Sequence, residues 1–233
     1  MLTIRKSEER GHVKIDWLNS RHTFSFGDYY DPKHMAFHSL RVINEDHIAP
    51  ASGFGAHPHR DMEILTYVVE GVLEHKDNMG NGSLIQPGEI QRMSAGTGIV
   101  HSEFNHSKTA PVHLLQIWVL PERKGLPPGY EQRTFSRDQK LNKLCLIASP
   151  DARNGSVLVN QDLNLYAAIL TDKTEITYRV AAQRRVWVQV VRGSVKINEI
   201  ILNAGDAGAV ETAEALGIEA KDESELLLFD LAG

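Results

Sequence analysis

The chain has 233 residues, of which 42% are hydrophobic and 24% charged, and this composition is typical of a globular protein with one large or two ordinary domains. The net charge of −5 disfavours binding to nucleic acid, which depends on Lys and Arg side chains that neutralise phosphates. No apolar run approaches the ~20 residues that a membrane-spanning helix needs, and residues 1–10 lack the apolar core of a signal peptide.

Short strands separated by glycine and proline turns are predicted along the first half of the chain. Residues 63–71 and 113–120 read as strands that end at Gly71 and Pro121. A Pro-Gly sequence and a Gly-x-Gly sequence mark tight turns between further strands. Many short strands joined by such turns indicate an all-β barrel or sandwich.

Two pairs of potential metal ligands lie within these predicted strands. The first pair is His57 and His59, and the second is His101 and Glu103. Side chains at positions i and i+2 of a strand point to the same face, so two neighbouring strands would gather three nitrogens and one oxygen around one point. This ligand set suits iron, nickel, copper, cobalt or zinc and does not suit magnesium or calcium. We therefore predict a site for one divalent transition metal ion.

The spacing of these residues leaves alternatives open. A His-x-His pair alone is weak evidence, because most exposed pairs bind nothing, but the surrounding strands and turns favour a ligand pair. Glu63 has the same strand parity as His57 and His59, and it would also point toward the metal if the strand stays regular. His75 and His106 break this parity and are not expected to be ligands.

The second half of the chain is predicted to form another β-domain. Residues 121–130 contain three prolines and two glycines and are interpreted as a linker. All eleven histidines lie at or before position 113, so a second histidine site beyond the linker is excluded. Cys145 is the single cysteine, which excludes an internal disulfide and favours a cytoplasmic protein. Helix is expected only as a short turn near residues 136–141.

An internal duplication is indicated by two pairs of similar segments. The paired segments are 68–74 with 190–196, and 84–89 with 201–206. In each pair a strand, a turn and a second strand follow in the same order, which is the pattern of a repeated structural unit. The alternative is that unrelated hairpins share the same turn chemistry.

At these motifs the chain resembles the cupin superfamily and, within it, the pirin family. The cupin-like motifs comprise Gly53, His57, His59, Glu63 and Gly71 in the first half-site, and Gly82, Pro87-Gly88, His101 and Asn105 in the second. The pirin resemblance is carried by residues 22–30, 57–63, 93–99 and 101–103. These motifs span about the first 120 residues, and the remainder matches only loosely.

The resemblance implies a bicupin, that is, two jelly-roll-like β-barrels packed together. Residues 1–121 would form the metal-binding pirin domain, and residues 131–233 a cupin-like domain without ligands. In pirins the carboxylate ligand comes from the second motif, which corresponds to Glu103. Glu63 would then be a hydrogen-bond acceptor that orients a ligand imidazole, or a surface carboxylate beside Arg60.

The resemblance also implies quercetin 2,3-dioxygenase activity, in which a flavonol is cleaved by O2 and carbon monoxide is released. Glu103 would be both a metal ligand and the base that takes the proton of the 3-hydroxyl. The alternatives are a metal-dependent sensor or co-regulator of the pirin type and a non-oxidative cupin isomerase. A small flavonol-like substrate and O2 are the expected partners, without nucleic acid or membrane. The sequence does not fix the oligomeric state, and it is compatible with a monomer.

Overall fold

The computed structural model describes residues 2–233, which form antiparallel β-sheets with very little helix. This confirms the all-β prediction. Among the described residues, no helix has the length and apolar character needed to span a bilayer. The chain divides into two compact units, which we call the N-terminal barrel (residues 11–134 and 157–161) and the C-terminal barrel (residues 2–10, 135–156 and 162–233).

The strands are numbered in chain order. They are β1 (Leu2–Arg5), β2 (Gly11–Lys14), β3 (Leu18–His22), β4 (Leu40–Ile48), β5 (Gly53–His59), β6 (Glu63–Glu70), β7 (Leu73–Asp77), β8 (Gly82–Ile85), β9 (Glu89–Ser94), β10 (Ile99–Asn105), β11 (Val112–Val119), β12 (Gly129–Thr134), β13 (Cys145–Ser149), β14 (Val157–Leu158), β15 (Leu163–Leu170), β16 (Glu175–Arg179), β17 (Arg184–Arg192), β18 (Ser194–Ile197), β19 (Ile200–Asn203), β20 (Ala207–Val210), β21 (Ala215–Ala220) and β22 (Ser224–Ala232). Helix α1 (Arg137–Lys140) and the 3-10 turns Ser7–Glu9 and Arg153–Gly155 complete the elements.

The short helix α1 confirms the turn predicted near residues 136–141. Ser136 is its N-cap, and the Ser136 side chain accepts a hydrogen bond from the backbone N–H of Gln139. The Gln139 side chain accepts from the Ser136 backbone N–H in return, so the two residues form a capping box. These bonds satisfy two of the free donors at the start of a helix that is only one turn long.

The N-terminal barrel contains a large and a small antiparallel sheet. The large sheet has the strand order β12-β9-β6-β11-β4-β3-β2, and the small sheet has the order β5-β10-β7-β8. Apolar side chains such as Ile48, Val68 and Leu114 form a buried core cluster in this barrel. The small sheet carries both predicted ligand pairs, because β5 contains His57 and His59 and β10 contains His101 and Glu103.

The two units differ from the predicted domain boundaries at 121 and 131. Residues 129–134, which span the end of the predicted linker and the start of the predicted C-terminal domain, form β12, which pairs with β9 of the N-terminal barrel. Residues 2–5 form β1, which pairs with β20 of the C-terminal barrel. In both cases a distant segment covers the edge of a large sheet, where unpaired backbone N–H and C=O groups would otherwise be exposed. Strand pairing thus places each of these segments in a barrel other than the one that its position in the chain predicts.

The C-terminal barrel repeats the topology of the N-terminal barrel, in agreement with the predicted duplication. Its small sheet has the order β16-β21-β18-β19, and its large sheet runs β1-β20-β17-β22-β15-β13. Gly71 and Gly193, at equivalent turns, have φ angles of 80° and 71°. A Cβ atom at Gly71 would also lie 2.7 Å from the carbonyl oxygen of Pro111, so a side chain is excluded there by both conformation and space.

Apolar side chains occupy the positions of the predicted ligands in the C-terminal barrel. Glu103 lies opposite His75 in the N-terminal barrel, and in the equivalent register Ile218 lies opposite Ile197. By the same register Leu216 takes the place of His101. Leu216, Ile218 and Ile197 are at most 1% exposed and belong to one core cluster. The second barrel therefore has a packed interior where the first has polar groups.

This packing makes Ile218 a strong determinant of stability. We expect Ile218→Ala to lower the free energy of unfolding by ~2 to 5 kcal/mol, because the lost side chain leaves a cavity that the sheet cannot fill. Ile201→Ala is the matched control, since Ile201 is 52% exposed on β19 and its truncation should change the free energy by no more than ~0.5 kcal/mol. Urea denaturation measures both values, and equal losses would contradict the assignment of Ile218 to the core.

Candidate metal centre

Strands β5 and β10 bring three of the four predicted ligands together. These strands pair antiparallel, with His57 opposite His101 and His59 opposite Ile99. The ring centroids are 4.4 Å apart for His57 and His101, 4.8 Å for His57 and His59, and 4.9 Å for His59 and His101. One ring nitrogen from each histidine lies within 4.8 Å of the others, which is close enough for all three to bind one metal ion.

Glu103 lies beside this triad and deeper in the barrel. Its register against β5 shifts by one residue after His101, so Glu103 faces Phe54 on that strand. Glu103, His101 and His75 form a second group whose ligand atoms lie within 4.8 Å of one another. His101 belongs to both groups and links the carboxylate to the other two imidazoles. His57 and His59 are partly exposed, whereas His101 and Glu103 are buried.

Two polar side chains of the large sheet hold the Glu103 carboxylate. The Nε2 atom of Gln116 donates to both oxygens of Glu103, at 3.0 and 2.9 Å. The Thr66 hydroxyl donates to the Gln116 carbonyl oxygen at 3.0 Å and fixes the orientation of that amide. Burial raises the pKa of Glu103 to about 7, although the hydrogen bonds from Gln116 and Thr66 oppose the rise. The carboxyl group is therefore oriented and able to exchange a proton near neutral pH.

The hydrogen bonds of an imidazole show which ring nitrogen carries the proton and which keeps a lone pair for a metal ion. His57 Nδ1 lies 2.7 Å from the Gly55 carbonyl oxygen, so Nδ1 carries the proton and Nε2 keeps its lone pair. Burial, assisted by electrostatic repulsion between neighbouring imidazoles, lowers the pKa of His101 to about 2 and that of His59 to about 4. Both imidazoles are thus neutral at pH 7, which is the form that binds a metal.

A buried chain of hydrogen bonds fixes the tautomer of His101. Although burial raises the pKa of Asp77, hydrogen bonds from Asn81 and His75 hold it below the usual value. The ionised carboxylate accepts from His75 Nε2 at 3.1 Å, which leaves the lone pair on His75 Nδ1. That atom lies 3.5 Å from His101 Nδ1, which must then be the donor. The lone pair of His101 is therefore on Nε2.

The donor atoms fit a divalent transition metal. His101 Nε2 is buried and has no hydrogen-bond partner among residues 2–233, which is costly unless a ligand or ion occupies its lone pair. Neutral imidazoles held by backbone or carboxylate acceptors are the usual ligands of iron, nickel, copper, cobalt and zinc. This arrangement therefore supports the predicted class of metal ion, with His57, His59, His101 and Glu103 as the residues that would hold it.

The position of Glu63 differs from all three of its predicted roles, as a metal ligand, as an acceptor for a ligand imidazole and as a surface carboxylate. Glu63 is 1% exposed, and its carboxylate accepts hydrogen bonds from Ser94 Oγ at 3.0 Å and from the backbone N–H of Asn160 at 3.1 Å. Its described hydrogen bonds include no imidazole donor. Strand β5 ends at His59, and Asp61 has a φ angle of 50°, so the parity of the first ligand pair is not continued to Glu63. Glu63 instead binds Asn160 and so holds residues 157–161 in the N-terminal barrel.

His75 and Asp77 are the site residues that sequence parity missed. His75 lies on β7, a different strand from both ligand pairs, so the parity of β5 and β10 does not apply to it. The available signal was the His75-x-Asp77 spacing itself, which places both side chains on one face of a strand. Pairing with β10 then puts Asp77 opposite His101 and His75 opposite Glu103.

A cavity of about 240 Å³ opens beside the triad and Glu103. Its walls include Phe26, Phe54, Ile64 and Trp118. The Trp118 ring lies edge-on to His59 at 4.9 Å and to Phe26 at 5.2 Å between centroids. The volume is below the ~300 Å³ of common drug-sized pockets, so the cavity suits a compact flat molecule or one end of a larger one.

The role of His75 can be tested by metal affinity. We expect His75→Phe to weaken metal binding by ~10- to 100-fold, because His101 loses the acceptor that orients it. His113→Phe is the matched control, since the His113 imidazole also lies 3.1 Å from a carboxylate, that of Glu45, but not in the cavity. Titration with a competing chelator measures both dissociation constants. Equal affinities in the two variants would contradict a role for His75.

Comparisons with known proteins identify the family of the chain. Residues 3–119 match the family model described as Pirin, and residues 146–231 match the model described as quercetinase C-terminal cupin domain. The chain is 52% identical over 231 residues to quercetin 2,3-dioxygenase of Escherichia coli K12, with 99% of each chain covered. A putative quercetin 2,3-dioxygenase of Pasteurella multocida is 46% identical, with 99% of this chain and 100% of the relative covered.

A solved structure shows the same fold. The bacterial pirin YhhW of Escherichia coli in complex with nickel(II) matches with a TM-score of 0.95 and 51% identity, covering 100% of this chain and 99% of that one. This match confirms the predicted bicupin fold.

Proposed function

Because the chain belongs to the pirin family of cupin proteins, we propose that it is a metal-dependent quercetin 2,3-dioxygenase that cleaves flavonols with O2 and releases carbon monoxide. The observation that carries this proposal is the set of three imidazoles and one buried carboxylate in the wall of a cavity that aromatic rings also line. The full-length similarity to a quercetin 2,3-dioxygenase supports it. The four proposed ligands are His57, His59, His101 and Glu103.

A bound divalent metal would supply Lewis acidity and a common binding point for the substrate and O2. Iron, nickel, copper, cobalt and zinc all suit the donor set. The nickel in the structure of the Escherichia coli relative supports a metal of this class. We propose that the protein binds one such ion.

Glu103 is proposed to take the proton of the flavonol 3-hydroxyl. A catalytic base works best when its pKa lies near the working pH, and burial raises the pKa of Glu103 to about 7 in the protein without metal. Gln116 holds both carboxylate oxygens in place, so Glu103 does not need to reorient before it accepts the proton. The rings of Phe26, Phe54 and Trp118 hold the flat substrate and exclude water from the reacting carbons.

The proposed partners are a small flavonol-like substrate and O2, without nucleic acid or membrane. The net charge of −5 is unfavourable for phosphate backbones and for anionic lipid surfaces. A single cysteine is in keeping with the reducing cytoplasm, which we propose as the location.

Oxygen uptake tests the proposed reaction. Protein of assayed metal content should consume O2 when quercetin is added, and the rate should scale with bound metal across preparations. Removal of the metal with a chelator should abolish uptake, and adding the metal back should restore it. Bound metal without uptake would contradict the dioxygenase and would favour a pirin-type sensor. Turnover of a substrate without O2 consumption would favour a cupin isomerase.

A further inference from the structure

Two buried polar side chains of β4 face the cavity and have no role in the chemistry described above. Asn44 and Asp46 are each 4% exposed, and both line the cavity together with His57, His101 and Glu103. They lie two residues apart on one strand, so their side chains point to the same face of the large sheet. The histidines lie on the small sheet, which makes the β4 pair a separate wall of the cavity.

One oxygen atom of each side chain lacks a hydrogen-bond donor among residues 2–233. These atoms are Oδ1 of Asn44 and Oδ1 of Asp46. The Ser20 side chain forms a hydrogen bond with the Asp46 carboxylate but leaves this oxygen without a partner. Buried acceptors without donors are rare in native proteins because leaving them unpaired costs free energy. Two such acceptors on the wall of one cavity indicate a ligand that brings donors.

The rest of the cavity defines the shape of that ligand. Phe26, Phe54, Ile64 and Trp118 give it apolar and aromatic walls, which suit the faces of a flat ring system. Buried acceptors on β4 then require hydroxyl or N–H donors at the edge of the rings. A phenol with several hydroxyl groups meets both conditions.

We propose that Asn44 and Asp46 form a hydroxyl-recognition subsite that selects polyhydroxylated flavonols over flavonols without ring hydroxyls. This inference rests on the proposed function and specifies its substrate class. The two side chains accept hydrogen bonds from phenolic hydroxyl groups and position the flavonol without touching the reacting atoms. A site with buried acceptors discriminates against an analogue that lacks the donors, because its polar atoms then stay unpaired.

Equilibrium binding without O2 tests this subsite. Quercetin is compared with 3-hydroxyflavone, which keeps the 3-hydroxyl but lacks the other hydroxyl groups. Quenching of protein fluorescence, to which Trp118 in the cavity wall contributes, reports each dissociation constant. The purified protein should bind quercetin at least ~10-fold more tightly than 3-hydroxyflavone. In Asn44→Leu/Asp46→Leu this preference should fall to nearly one.

Gln91→Leu is the matched control for the leucine substitutions. Gln91 is a buried amide, 1% exposed, on β9 of the same sheet, and it does not line the cavity. Its replacement should leave the preference for quercetin unchanged. Asp46→Leu also removes the hydrogen bond with Ser20, so the melting temperature of the double variant is measured beside its binding to establish that it is folded.

Equal affinity of the parent protein for the two flavonols would overturn the subsite. So would an unchanged preference in the folded double variant, or in Asn44→Leu alone if the double variant fails to fold. Because binding is measured without O2, the two proposals can fail separately. A preference that depends on Asn44 and Asp46 in a protein without oxygen uptake would refute the dioxygenase and support the subsite. Normal uptake with an unchanged preference would refute the subsite alone.

Discussion

Replacement of His101 by alanine is expected to abolish quercetin turnover and to lower metal affinity by more than ~100-fold. Loss of an outer hydrogen-bond partner of a ligand already costs ~10- to 100-fold, and removal of a ligand costs more. His101 is the imidazole shared by both groups of potential ligand atoms, and its Nε2 atom is buried without a partner. Metal analysis and oxygen uptake on the same preparation measure the two effects.

The matched control for this variant is His106→Ala. His106 follows β10 directly, but its side chain is 51% exposed and does not line the cavity. The control should keep the metal content and turnover of the parent protein. If His101→Ala kept full metal content and turnover, the centre would lie elsewhere in the barrel.

Replacement of Glu103 by glutamine is expected to lower turnover by ~100- to 10,000-fold, while part of the metal remains bound. Glutamine keeps the size of the side chain and one oxygen that can bind a metal, but it cannot accept the substrate proton. The three histidines are unchanged in this variant and still offer three nitrogens. Single-turnover kinetics at equal metal loading separate the loss of the base from the loss of metal.

Glu63→Gln makes the same chemical change outside the cavity. Glu63 is buried as Glu103 is, but it accepts its hydrogen bonds from Ser94 and Asn160. We expect this control to reduce stability and to leave turnover per bound metal unchanged. Full activity of Glu103→Gln would refute the role of Glu103 as base, even if its role as ligand remained.

Side-chain parity within a strand predicts that His57 and His59 point to one face, but it does not predict which strand lies beside them. His57 and His59 share a face of β5, and the pairing of β5 with β10 then places His101 opposite His57. The same argument did not apply to Glu63, because the backbone turns at Asp61 before β6 begins. The alternation of side chains predicts which face a residue points to only within one regular strand.

Long-range strand pairing explains the features that the sequence pattern could not predict. His75 joins the site because β7 pairs with β10, and no local periodicity encodes that register. In the same way, residues 2–5 and 129–134 complete sheets to which chain order alone does not assign them. The β4 acceptors Asn44 and Asp46 also meet the cavity only through the folding of the large sheet.

The stoichiometry of the reaction tests the central claim most directly. Quercetin consumed, O2 consumed and carbon monoxide released are measured together on protein with a known metal content. The dioxygenase account predicts that one molecule of O2 is consumed and one molecule of carbon monoxide released for each quercetin cleaved. It also predicts that all three quantities fall to background in His101→Ala. Loss of quercetin with hydrogen peroxide and no carbon monoxide, or equal rates in His101→Ala, would contradict it.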